Sequence, residues 1–219
     1  MPYPISWKAT RENGVKVFNS TVSPLSGGYS LEMSSNGTEW DVTDPGLRKS
    51  ASIFIKEGAF DRGFIDGRIR TLVRRNSTNQ NLAWGGIYII SDQEGIGTSI
   101  SPGQNRYEIT DKSGNIALIK YVGAIPTVLF TSTETFLQDT THGFEVKWVY
   151  DGLLDQLTII VKLGLAADFS DLSIIFEYMD TSSPLTDTET EGFFVQATSS
   201  DDFLSYNFDK TSVFKSTHL

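Results

Sequence analysis

The sequence predicts an all-β chain folded as an antiparallel sandwich or barrel, and three observations predict it. A dozen short runs alternate apolar with polar residues or are rich in β-branched and aromatic side chains, the pattern of half-buried strands. The breaks between them carry Gly, Asn, Asp, Ser and Pro, each a turn former for its own backbone reason. No window of eleven residues shows the apolar stripe of a helix. Only LGLAADFSDL (163–172) has room for a single helical turn.

The runs follow one another along the chain. VKVFN (15–19), SIFIK (52–56) and FIDGRIRTLVRR (64–75) come first, then GGIYIIS (85–91), RYEIT (106–110) and NIALIKYV (115–122). TVLF (127–130), GFEVKWVY (143–150), QLTIIVKL (156–163), LSIIFEYM (172–179), GFFVQA (192–197) and FLSYNF (203–208) complete the set. The first 50 residues differ: SGGYSLEMSSNGTEWDVTDPG is polar, rich in Gly, Ser and Asn, and weakly periodic. The organisation expected is an N-terminal arm or extended segment over 1–50 and one β-sandwich domain over 51–219.

Composition bounds the function. At 219 residues the chain can bury a sizeable core. No stretch approaches the 18 apolar residues of a membrane-spanning helix. The N-terminus MPYPISWKATRENG lacks the basic and apolar regions of a secretory signal, so cytoplasmic synthesis is expected. The absence of cysteine excludes disulfides and thiolate metal sites. A net charge of −9 argues against general binding to nucleic acid or to an anionic membrane.

From residue 64 onward, particular stretches carry a family likeness. FIDGRIRTLVRR followed by GGIYIIS, then YEI and GNIALIKYVG, then GFEVKWVYDGLLDQLTIIVKLG folding back through an Asp-Gly turn, form an ordered series. DTSSPL from Asp180, Gly192-Phe193 and NFDKTSVF close it. The series resembles the concanavalin A-like lectin/glucanase superfamily, which includes laminin-G-like modules, and covers roughly 150 residues. The resemblance implies an antiparallel jelly-roll β-sandwich. Because one fold hosts many activities, it does not by itself choose a function.

Glucanases of that superfamily carry an alternating Glu/Asp/Glu set on a central strand, separated by apolar residues. Asp187, Glu189 and Glu191 also alternate, but their spacers are Thr188 and Thr190, Pro184 stands upstream and Gly192 follows. We read them as a loop or strand edge, and assign no catalytic residue. Asp151, Asp155, Asp168 and Asp171 read as turn and cap residues. Two histidines, His142 and His218, are too few for a histidine metal site. No phosphate-binding glycine loop is present. No cofactor is expected. Lectins of the superfamily often hold calcium, for which Asp41, Asp44, Asp92, Glu94, Asp201 and Asp202 are the loop oxygen donors.

The binding residues expected lie on alternating strand faces. In FIDGRIRTLVRR, Ile65, Ile69 and Val73 share one side, and Asp66, Arg68, Arg70 and Arg74 the other. A concave sheet showing Arg68, Arg70, Tyr88, Trp148 and Tyr150 suits a sugar ring, with aromatic rings on its C–H face and arginines on its hydroxyls. Against this stands a structural reading: Trp148 and the tyrosines in the core, and the arginines paired with Asp66 or Glu145.

Three functional readings follow. The first is a non-enzymatic assembly protein, concretely a bacteriophage decoration, fibre or baseplate component with virion or homo-oligomer partners. The second is a carbohydrate-binding lectin module. The third, a glycoside hydrolase, has least support.

Overall fold

The computed structural model of the chain describes residues 65–75, 83–92, 104–112, 114–187, 190–197 and 204–215, and five strands ahead of them. Those five are β1 (Ile5–Ser6), β2 (Lys16–Asn19), β3 (Ser30–Met33), β4 (Glu39–Asp44) and β5 (Ser50–Ile55). After them come β6 (Gly67–Arg75), β7 (Ala83–Ser91), β8 (Arg106–Lys112), β9 (Asn115–Val122) and β10 (Ile125–Thr131). The last five are β11 (Thr141–Asp151), β12 (Gln156–Gly164), β13 (Ser173–Asp180), β14 (Thr190–Ala197) and β15 (Leu204–Lys215).

They form two antiparallel sheets. One runs β13-β12-β11-β6-β15-β4-β3, with β1 also pairing with β15; the other runs β10-β9-β8-β7-β14-β5-β2. The chain passes repeatedly from one sheet to the other, making the expected all-β jelly-roll sandwich. The stretch 1–50, expected as an arm or extended segment, contributes β1 to β4, which pair into both sheets. Of the stretch 163–172, Leu163 and Gly164 end β12 and the rest forms bends and turns rather than helix.

Turn chemistry sets the hairpin registers. Lys112 pairs with Asn115 across a two-residue turn containing Gly114 at φ 88°. Val122 pairs with Ile125 across Gly123 and Ala124, at φ 58° and 66°. Two successive positive φ values are those of a type I′ turn, whose twist matches the strands it joins. The Ala124 amide is held by the Gln104 carbonyl at 2.8 Å, and that of Gly123 by Asn105 Oδ1 at 2.8 Å.

The inner faces meet in a core built around Trp148, Phe144, Phe136 and Tyr107, with Ile69, Val73, Ile87, Ile109, Leu118 and Ile159 around them. Phe136 and Phe144 meet edge-on, 5.0 Å apart, a favourable aromatic geometry. A buried polar clamp also joins the sheets. Asp180 of β13 accepts from Tyr107 Oη of β8 at 2.6 Å and from Lys120 Nζ of β9 at 2.7 Å. Burial pushes the Asp180 carboxyl up, but those two donors outweigh it and leave it below its ordinary value. Lys120 also donates to the carbonyls of Ser182 and Ser183, anchoring the loop that leaves β13.

Candidate functional site

Side-chain period decides which face of the β6-β11-β12 sheet meets solvent. Along β12, Leu157, Ile159, Val161 and Leu163 are buried while Thr158, Ile160 and Lys162 between them are half-buried. Along β11, Phe144, Val146 and Trp148 enter the core, so Glu145 and Lys147 face outward. Register then assembles the outer face: Lys147 lies opposite Arg68, and Glu145 lies between Arg70 and Lys162.

Glu145 is the hub. Its Oε2 accepts from Arg70 Nε at 2.8 Å and Nη2 at 2.5 Å, and its Oε1 meets Lys162 Nζ at 3.0 Å. Arg68 Nη1 lies 3.8 Å from the same Oε2. The carboxylate side chain is only 2% exposed, whereas those of Arg68, Arg70 and Lys162 are 32%, 29% and 31% exposed. Burial pushes the Glu145 carboxyl up, yet the hydrogen bonds from Lys162 and Arg70 hold it below the usual carboxylate range. It is therefore an ionised counter-ion at neutral pH and a poor proton donor. Burial lowers the Arg68 guanidinium; Glu145 opposes that shift and the neighbouring Arg70 adds to it.

The loop after β12 adds an aromatic ring. Asp171 accepts from the amides of Leu165 at 2.8 Å and Ala166 at 2.9 Å, which lower its carboxyl. The contact leaves no room for a side chain at Gly164, whose Cβ would stand 2.3 Å from Asp171 Oδ1. Asp168 accepts the Ser170 amide at 3.0 Å, and Phe169 sits between them at φ 64°. The Phe169 ring reaches over Gly143 and lies 5.3 Å from the Arg70 guanidinium carbon, within cation–π range.

The expected set divides on this geometry. Arg68 and Arg70 stand together, held by Glu145, one of the two carboxylates the sequence offered them. Asp66 accepts the Tyr150 amide. The shared display face is corrected for three residues: Trp148 is fully buried in the core, Tyr150 follows it on the inner side of β11, and Tyr88 is fully buried on the other sheet. Trp148 alternates with Lys147, as β structure requires, but its side is the inner one. Tyr150 packs partly against the core, with its hydroxyl donating to Asp155 at 2.8 Å. That bond, aided by slight burial, raises the phenol pKa. Lys147, Lys162 and Phe169 are the residues that sequence reasoning missed. The charges of Glu145 and Lys147 alternating with Phe144, Val146 and Trp148 were the available signal.

Other polar groups are engaged elsewhere. On the seven-stranded sheet, Arg106 pairs with Glu108 at 2.6 Å and lies 3.6 Å from the Tyr121 ring centre, with both charges buried. A cleft of about 500 Å³ opens between Thr133, Glu134, His142 and the ends of β12 and β13. Burial lowers the pKa of the His142 imidazole, which is bonded to the Thr140 carbonyl and the Leu137 amide. Asp151 caps its hairpin turn through the Leu153 and Leu154 amides. Asp187 is exposed in a loop and Glu191 is buried on β14; Glu189 lies outside the described residues.

Of the loop oxygen donors named for calcium, the structure describes the Asp92 side chain. Both oxygens of Asp92 accept from Asn105, at 3.0 and 2.7 Å, and no metal-holding group of three or more His, Asp or Glu occurs among the described residues. Glu94, Asp201 and Asp202 lie outside those residues, as do the side chains of Asp41 and Asp44.

No family model and no curated protein match the chain in sequence. Solved structures do match. A legume lectin-like domain from Entamoeba histolytica superposes with a TM-score of 0.60 at 9% identity, over 97% of each chain. The carbohydrate recognition domain of Emp47p gives 0.59 at 13%, over 97% of this chain and 94% of that one. A xylan beta-1,4-xylosidase from Bacillus halodurans C-125 gives 0.54 at 10%, over 86% of this chain but 34% of its own. Lectins and a glycosidase thus share the architecture. The chain has the concanavalin A-like lectin/glucanase fold.

Proposed function

We propose that the chain is a non-catalytic carbohydrate-binding module whose ligand rests on the outer face of β6, β11 and β12. The observation that carries this reading is the arginine pair fixed on one buried carboxylate beside the Phe169 ring. Guanidinium donors held in place lose little freedom when they bond a ligand, and an adjacent ring supplies an apolar floor. The lectin-like architecture supports carbohydrate binding over the assembly reading, and none of the lectin and glycosidase structures named above is described as a virion component.

The test is a glycan array probed with the full chain and with Phe169→Ala. Binding that falls at least tenfold in a variant of unchanged melting temperature supports the reading. Release of reducing sugar from a bound glycan contradicts its non-catalytic part. A second reading, self-association, is favoured by exposed Ile125 and Val128 on edge strand β10 and Ile174 and Met179 on edge strand β13, since open edges invite pairing. Light scattering on the full chain decides it.

A further inference from the structure

We infer that the outer face of β6, β11 and β12 selects acidic carbohydrate, a polysaccharide bearing carboxylate or sulfate groups. The inference rests on the glycan-binding reading above and names its ligand class. Three cations, Arg68, Arg70 and Lys162, meet the carboxylate of Glu145, and a fourth, Lys147, lies opposite Arg68 on the same face. The local excess of positive charge stands in a chain of net charge −9, so composition does not explain it.

Geometry makes the excess usable. Glu145 absorbs much of Arg70 and one contact of Lys162, while Lys147 has no salt-bridge carboxylate among the described residues. Adjacent strands stand about 4.8 Å apart, so the four cations spread over about 10 Å, room for more than one acidic group. Planar guanidinium groups match carboxylate and sulfate oxygens with paired hydrogen bonds, and lysine adds a point charge. A neutral sugar offers these cations only hydroxyls and would cover them without supplying counter-charge, at a desolvation cost. Exposed Glu177 lies two strands from Lys147, beyond Ile160.

Affinity electrophoresis of the full chain through gels containing polygalacturonate, dextran sulfate, dextran or single-stranded DNA tests this, alongside a neutral glycan array. The expected result is retardation by polygalacturonate, dextran sulfate or both, and none by dextran. The two acidic arms separate carboxylate from sulfate as the preferred group. Affinity should fall at least tenfold in Lys147→Glu and in Arg68→Gln, and weaken steeply with salt. Lys147→Glu removes no described ion pair, so it keeps the test open if Arg68→Gln fails to fold. Equal binding to neutral glycans would overturn acid selection and leave the glycan reading standing. Equal retention by DNA would reduce the effect to charge alone and overturn it. Acidic binding unaffected by both variants would place the ligand elsewhere and overturn it. Failure to bind any glycan, acidic or neutral, would overturn both readings.

Discussion

Replacing Glu145 by Gln keeps the shape of the hub and removes its charge. The wild-type carboxylate serves Arg70 at 2.5 Å, Lys162 at 3.0 Å and Arg68 at 3.8 Å, and is itself 2% exposed. Stripping one partner from a fully buried ion pair costs about 3–5 kcal/mol. Here the three cations keep roughly a third of their side chains in water, so resolvation recovers part of that loss and about 2 kcal/mol remains. The sign of the pH dependence follows from the lowered carboxyl. A carboxylate whose folded pKa is depressed stabilises fully above its unfolded value, about 4.3, and loses that stabilisation as pH falls through its folded value. Urea unfolding of both proteins between neutral pH and pH about 3 should therefore show a gap that is constant above the unfolded value and shrinks in acid. A gap below about 0.5 kcal/mol at neutral pH, or one that does not narrow in acid, would refute the hub.

Trp148→Ala should lower stability by about 3–5 kcal/mol, because the indole is fully buried against Gly67; thermal denaturation reads this, and loss of binding without loss of stability would contradict its core placement. Gly86→Ala should destabilise by about 3 kcal/mol, since its Cβ would meet the Ile109 carbonyl oxygen at 1.9 Å; an unchanged melting temperature would refute that register. Lys120→Met should cost about 3 kcal/mol by leaving Asp180 buried without its cation; chemical denaturation measures it, and a neutral result would mean that the clamp contributes nothing.

Alternation revealed the strands because each sheet has one dry face. NIALIKYV matches β9 at both ends, where turns at Gly114 and Gly123 bracket it. Period-two patterning fixes which residues share a side, so Arg68 with Arg70 and Trp148 with Tyr150 were legible. It does not say which side faces the core. That depends on register with strands distant in sequence: Trp148 lies opposite Gly67, and the indole occupies the space that a side chain at Gly67 would need. Tyr88 was hidden for a further reason. From Gly85 to Ser91 every residue of β7 is buried, so the strand has no exposed face to mark its orientation. Within residues 1–50 the signal was weaker still. SLEM and EWDVTD are short and rich in polar residues, yet they pair with each other, and EWDVTD also pairs with β15. Phe169 owes its place to loop geometry, a positive φ and capping carboxylates, which periodicity does not encode.

The central claim is that ligand meets the chain on the Arg68–Arg70–Lys147 face. The most direct measurement follows the arginine Nε–H and backbone amide NMR signals of the full chain during titration with oligogalacturonate. The account predicts that the Arg68 and Arg70 Nε–H signals and the Phe169 amide shift together, with a common saturation point. Shifts confined to the Asn105–Gly123 end of the seven-stranded sheet, or to the cleft beside His142, would contradict it.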